Sequence, residues 1–345
     1  MKDTQKASLL LIYTGGTIGM KKDPDDGTLK PFDFSLLMQE VPELGKFALR
    51  IDSYTFDPLI DSSDVEPALW QSLACLIQER YDDYDGFVIL HGTDTMAYSA
   101  SALSFMLDGL DKPVIFTGSQ LPVGEPRTDG KENLISSVEI AAAKDPAGRA
   151  MVPEVCIFFN SQLFRGNRCT KVNAGGFDAF MSPNFPVLAT AGIDIRYDNA
   201  VIHHTSRKHL TINTALDTRV SILKVHPGIT EHVARHLMCD PDIRAVILET
   251  YGSGNSISKQ WFMDIVREAN SKGKVLLNVT QCLCGSVDMS RYATGKALEY
   301  AGVISGHDLT TEGALAKLFH LMGLTDDNSL VKLKLEENLK GEISK

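Results

Sequence analysis

Apolar runs without alternation recur along the chain: Ser8–Tyr13, Phe87–His91, Val114–Thr117, Val155–Phe159, Ser221–Val225, Ala245–Glu249 and Val275–Asn278. Such runs are expected of strands covered on both faces, as in a parallel sheet flanked by helices. Between them, apolar residues return at helical spacing. The stretch Glu66–Arg80 places Leu69, Leu73, Leu76 and Ile77 on one face, with Asp64 a candidate N-cap and Pro67 suited to the first turn. Further helices are expected over Met96–Leu110 (Ala97, Leu103, Met106 and Leu107 apolar), Asn133–Ala143, Lys259–Ala269 and Glu312–Met322. Strands alternating with helices predict an α/β fold with a mostly parallel sheet.

The pattern loosens between Pro183 and Asp217, where Pro183, Pro186, Gly192 and three histidines (203, 204 and 209) fall. Regular alternation resumes near Ser221. The expected division is a larger domain over 1–197, a connection over 198–217 and a smaller domain over 218–345. At roughly 150 residues per domain, 345 residues also give about two. No repeat or low-complexity tract is visible. The segment Lys21–Asp33 is rich in Asp, Gly and Pro and predicts a mobile polar loop, a kind of segment that often closes over ligands.

Composition narrows the possibilities. Apolar residues are 43% and charged residues 23%, ordinary for a globular protein. The net charge of −10 argues against nucleic acid as the main partner. No apolar run approaches the roughly 20 residues that span a bilayer. The polar N-terminus leads into only a few apolar residues, too short for a secretory signal, which predicts a cytoplasmic protein. The six cysteines are scattered, and Cys282-Leu283-Cys284 is not the C-x-x-C of redox or zinc sites, so reduced thiols are expected. His232 and His236 share a helical face, but without the H-E-x-x-H pattern they predict a surface pair rather than zinc ligands.

Four polar clusters sit at predicted strand ends or helix starts. Strand Ser8–Tyr13 runs into Thr14-Gly15-Gly16-Thr17-Ile18-Gly19. Paired glycines there let the backbone turn sharply and a ligand approach closely. A dinucleotide fingerprint would need a glycine where Thr14 stands. His91-Gly92-Thr93-Asp94-Thr95 joins a strand to a helix, and Asp61-Ser62-Ser63-Asp64 precedes the Glu66 helix; capping accounts for either cluster alone. In Arg165–Lys171, a lysine buried beside an aspartate would suit base work. Spacing cannot show burial, and by residue type alone Lys171 reads as a solvated surface lysine.

Taken together, TGGTIG (14–19), HGTDT (91–95), GSQ (118–120), RGNRCTK (165–171), YGSGN (251–255), TQC (280–282) and YATG (292–295) resemble the bacterial-type L-asparaginases. The match runs in order through nearly the whole chain. The RGNRCTK and YATG forms and the absent signal are similar to the cytoplasmic type I branch. The resemblance implies two α/β domains, the larger N-terminal, and an amidohydrolase without metal or organic cofactor acting on L-asparagine. Thr17 matches the nucleophile. Thr93, Asp94 and Lys171 match a threonine–aspartate–lysine triad: Lys171 and Asp94 would relay the proton and Thr93 would position the water. Backbone N–H groups near Gly16 and Thr93 are candidate oxyanion donors. Ser62 matches the position that holds the substrate α-carboxylate, with Asp61 and Ser63 beside it, and Asp94 would also hold the α-ammonium. Asn255 matches an asparagine that reaches a neighbouring subunit's site, implying an intimate homodimer, usually paired into a tetramer.

Two departures qualify this. The family's loop tyrosine has no counterpart in Lys21–Ser53: either the site lacks that partner, or Tyr292 supplies it from another subunit, the reading favoured here. Thr170 and Cys282 match positions near an effector site of some relatives, but Glu249 stands where an arginine is expected. An acid cannot pair with a carboxylate effector as arginine would, which predicts weak or absent activation by asparagine. His91 has no part in this mechanism. Two other readings stay open: an amidase subunit of an aminoacyl-tRNA amidotransferase, disfavoured by charge and by the chain's start at the first strand, and an amino-acid-binding protein with a dead site.

Overall fold

The computed structural model describes residues 6–22, 29–31, 37, 39–207 and 209–344. They form two compact units. The first takes the chain up to Ser182 and again over 186–213; the second takes 183–185 and everything from Thr214 onward.

The first unit is built on an eight-stranded sheet. Its strands are β1 (Ser8–Tyr13), β2 (Arg50–Thr55), β3 (Gly86–Leu90), β4 (Val114–Thr117), β5 (Val155–Phe159), β6 (Gln162–Arg165), β7 (Ala189–Ala191) and β8 (Ile195–Tyr197). Their spatial order is β8-β7-β6-β5-β4-β3-β1-β2. The five strands from β2 to β5 are parallel, and β6, β7 and β8 continue the sheet antiparallel. The unalternating apolar strands β1, β3, β4 and β5 are buried throughout apart from Ser8, as their composition predicts. Strand β2 (RIDSYT) is the edge, polar and largely exposed, so it gave no apolar signal.

Helices α1 (Pro67–Glu79), α2 (Met96–Met106) and α3 (Gly130–Ala142) follow β2, β3 and β4. Helix α1 buries the expected Leu69, Leu73, Leu76 and Ile77. Its N-cap is Glu66 rather than Asp64, which instead closes a 3₁₀ turn over Ser62–Asp64. Helix α2 is buried almost all round. Small residues allow this, and its serines find partners: Ser99 accepts from Trp70, while Ser101 and Ser104 donate to the carbonyls of Gly166 and Ser101. The helix stops at Met106 rather than Leu110, because Leu107–Asp108 pairs antiparallel with Thr211–Ile212 and Gly109 follows at φ 78°. Of the predicted loop at 21–33, Met20–Lys22 and Leu29–Pro31 pair antiparallel, and 23–28 and 32–33 lie outside the described residues.

The second unit carries four parallel strands in sequence order: β9 (Val220–Lys224), β10 (Ala245–Thr250), β11 (Val275–Thr280) and β12 (Ile304–Ser305). One face packs against α4 (Glu231–Cys239), α5 (Gln260–Ser271) and α6 (Ala293–Tyr300). The other packs against α7 (Thr311–Leu324) and α8 (Asn328–Leu335). No described helix is long and apolar enough to cross a membrane.

Candidate active site

Parallel neighbours end at the same edge of a sheet, so β2, β1, β3 and β4 deliver their following loops side by side. Those loops are the four motifs Asp61–Asp64, Thr14–Gly19, His91–Thr95 and Gly118–Gln120. Their contacts are backbone-close and explain the glycines. Gly15 (φ 135°) and Gly16 (φ 92°) hold conformations that L side chains rarely adopt. A Cβ on Gly15 would lie 2.1 Å from the Ile60 carbonyl oxygen, and one on Gly16 would lie 2.5 Å from the Cα of Gly92. A Cβ on Gly92 would meet Ser62 Oγ at 2.4 Å. Thr14 stitches the first loop to its neighbours: its N–H and hydroxyl both donate to the Leu90 carbonyl at 3.0 Å, and its carbonyl accepts from Ile60 N–H at 2.8 Å.

Thr17 opens a 3₁₀ turn (Thr17–Gly19) directly after Gly16 and is half-buried. Gly16, the residue before it, lies against Gly92: a Cβ there would be 2.5 Å from the Gly92 backbone nitrogen as well. Tyr13, buried beneath, donates its hydroxyl to the Gly16 carbonyl at 3.4 Å, and burial pushes its pKa up. Ser62 is buried; its Oγ accepts from Asp94 N–H at 3.4 Å and its carbonyl accepts from Thr95 Oγ1 at 2.7 Å. Asp61 caps the Ser62–Asp64 turn, accepting from the Ser63 N–H and hydroxyl at 2.9 Å each.

Lys171 sits on a two-stranded hairpin, Thr170–Lys171 against Phe180–Met181. Its Nζ donates to Thr93 Oγ1 at 2.8 Å and to Asp94 Oδ1 at 2.6 Å. The lysine side chain is 19% exposed and the aspartate 61%. The solvated surface lysine read from residue type alone is thus corrected: Lys171 is largely buried and engaged by both polar residues of the second loop.

Two contributors went unassigned in the sequence. Gln120 accepts from Thr93 Oγ1 at 3.4 Å and donates to the Gly176 carbonyl at 2.9 Å, bridging the second loop to the Lys171 hairpin. Asp129 holds Gln120 in place by accepting its N–H at 3.0 Å and that of Leu121 at 3.2 Å. The position of Gln120 in GSQ, immediately after a strand end, was the available signal.

The remaining candidates lie in the second unit, save Thr170, which is half-buried beside Lys171. Asn255 closes the turn after β10, and its Oδ1 accepts from Thr294 Oγ1 at 2.8 Å, so the YGSGN and YATG motifs meet. Tyr292 is half exposed at the N-cap of α6, with the Arg291 guanidinium 5.7 Å from its ring. Glu249 accepts from Thr311 Oγ1 at 2.7 Å and lies 3.6 Å from Lys224 Nζ. Cys282 is exposed, and His232 and His236 are both exposed on α4. Among the described residues, no cluster of three or more His, Cys, Asp or Glu is placed to hold a metal ion.

Residues 8–203 match the family described as Asparaginase, N-terminal, and residues 219–333 match the Glutaminase/Asparaginase C-terminal domain. The chain therefore belongs to the asparaginase family. It is 44% identical to L-asparaginase 1 of Escherichia coli (strain K12) over 347 residues, covering 99% of each chain. The crystal structure of L-asparaginase I from Vibrio cholerae superposes with a TM-score of 0.89 at 41% identity, over 99% of this chain and 100% of that one. The thermostable L-asparaginase from Thermococcus kodakarensis gives a TM-score of 0.87 at 31% identity, over 98% and 99%.

Proposed function

We propose that this protein is an L-asparaginase that hydrolyses L-asparagine to L-aspartate and ammonia through an acyl-enzyme on Thr17. The observation that carries this reading is Lys171 Nζ bonded to both Thr93 Oγ1 and Asp94 Oδ1, on the loop that abuts Gly16, the residue before Thr17. A threonine hydroxyl is a weak nucleophile unless a neighbouring base takes its proton. The lysine–aspartate–threonine chain is a path for that proton. In the first step Thr17 Oγ bonds to the side-chain amide carbon, the C–N bond breaks and ammonia leaves with the relayed proton. In the second, water held by Thr93 attacks the ester, aspartate departs and the hydroxyl is restored. Backbone N–H groups near Gly16 and Thr93 face the developing oxyanion; loss of one such donor in other hydrolases costs about 3–4 kcal/mol.

Ser62 takes the substrate α-carboxylate, with Asp61 and Ser63 forming the adjoining turn, and Asp94, exposed at its tip, takes the α-ammonium. In this reading residues 1–197 carry the catalytic groups, 198–217 connect, and 218–345 bring Asn255 and Tyr292 to a neighbouring protomer's site in a cytoplasmic homodimer or homotetramer. Ammonia release from L-asparagine by the purified wild type, lost in Thr17→Ala, tests the reading. Release undiminished in that variant contradicts it.

A further inference from the structure

His91 has no part in the chemistry above, yet it is buried beside it with both ring nitrogens engaged. It is buried at the end of β3, its ring edge-on to Phe116 with centroids 5.7 Å apart. Nδ1 lies 2.7 Å from the Gly92 carbonyl oxygen and Nε2 lies 3.0 Å from Ser99 Oγ. Ser99 Oγ is in turn 2.8 Å from Trp70 Nε1. The donors sort themselves. A carbonyl only accepts, so Nδ1 carries a proton; an indole N–H only donates, so Ser99 accepts from Trp70 and gives its own hydrogen to Nε2. Burial keeps the ring neutral, its pKa lowered to about 4, consistent with one proton and with that proton on Nδ1. A chain from α1 through α2 thus fixes one tautomer at the strand end.

The acceptor at the end of the chain is the carbonyl of the peptide whose N–H belongs to Thr93. A peptide carbonyl held by a buried donor is fixed in orientation, and its N–H is more strongly polarised. Gly92 packs closely on its neighbours: a Cβ there would lie 2.4 Å from Ser62 Oγ and 3.3 Å from Gly16 Cα. We propose that His91, as the neutral Nδ1–H tautomer, is a positioning residue that aims and polarises the Gly92–Thr93 peptide so that Thr93 N–H meets the developing oxyanion. It touches no substrate and moves no proton. The proposal rests on the L-asparaginase reading and its oxyanion assignment.

Two substitutions separate this role from simple packing. His91→Asn keeps an N–H donor where Nδ1 sits, whereas His91→Gln puts its amide near Nε2 and leaves the Gly92 carbonyl unpartnered. His91→Gln is expected to lower kcat about tenfold or more with KM within about threefold, and His91→Asn to recover most of that loss. Histidine-selective ¹⁵N NMR of the wild type at neutral pH reads the tautomer without any substrate and is expected to show Nδ1–H. Equal kcat losses in the two variants, or an Nε2–H tautomer, overturn the proposal even in a fully active enzyme. A wild type that releases no ammonia from asparagine instead overturns the activity reading beneath it.

Discussion

Lys171 and Asp94 stand 77 positions apart in sequence and 2.6 Å apart in space. The pair is too exposed at Asp94 to matter for folding: such ion pairs contribute about 0–1 kcal/mol. In the proposed mechanism it serves as the proton relay. Lys171→Met is therefore expected to leave Tm nearly unchanged while lowering kcat by about a thousandfold or more, the scale seen when one member of a catalytic unit is removed. Steady-state kinetics beside a thermal melt checks this. A variant that melts early in proportion to its lost activity would assign the lysine a structural role.

Gly16 tests the convergence of the loops. Its φ of 92° and ψ of 170° belong to a region held almost only by glycine, and the Gly92 backbone leaves no space for a methyl group. Gly16→Ala should cost about 1–3 kcal/mol in backbone conformation alone. It should also reduce kcat sharply by displacing Thr17. Gly45, with nothing around the corresponding position, serves as control: Gly45→Ala should change neither Tm nor kcat appreciably.

Much of this was legible in the sequence, and the failures have physical causes. Strands β1, β4 and β5 were placed to the residue because full burial on both faces leaves an unbroken apolar run. The edge strand β2 was missed because one buried neighbour asks for no such run. The TGGTIG and HGTDT loops stood out through their glycines, and those glycines prove to be where the backbones touch. Residue type alone reads Lys171 as a surface lysine, and only the resemblance singles it out, because burial of a lysine depends on a hairpin folding back over a distant loop. Gln120 and Asp129 escaped for the same reason: their partners are set by tertiary approach, not by spacing.

The Asn255–Thr294 hydrogen bond leads to a test of assembly. If Asn255 serves a neighbouring protomer's site, hetero-oligomers of Thr17→Ala and Asn255→Ala subunits contain some sites with both residues intact. Co-expressed variants should then regain a substantial part of the activity that each lacks alone. No recovery in verified hetero-oligomers would place Asn255 in its own protomer's site or outside catalysis. In the same assembly, Tyr292→Phe should lower kcat if Tyr292 replaces the absent loop tyrosine; an unchanged kcat would remove it from the mechanism.

Acid stability follows from two buried histidines. Burial lowers His91 and His320 from near 6.5 to about 4 each. The unfolded chain binds these protons first as pH falls, so stability is complete above about 6.5 and is lost progressively down to about 4. One such group accounts for a loss on the order of 3 kcal/mol across that window. Denaturant melts at pH 7.5 and 4.5 should show a smaller difference for His91→Asn than for the wild type. An equal difference would mean that His91 is already charged in the folded protein.

Glu249 bears on regulation. Its carboxylate accepts from Thr311 at 2.7 Å and lies 3.6 Å from Lys224 Nζ, so that lysine faces an acid already in place. The rate should rise hyperbolically with asparagine concentration. A clearly sigmoidal curve would contradict the weak-activation reading.

In the proposed mechanism Thr17 is transiently esterified by the substrate. Rapid acid quenching during turnover of L-asparagine, followed by peptide mass mapping, tests it most directly. An aspartyl ester is expected on the peptide carrying Thr17, formed and lost at rates compatible with kcat and absent in Thr17→Ala. An adduct on another side chain, or steady ammonia release from the Thr17→Ala protein, would contradict it.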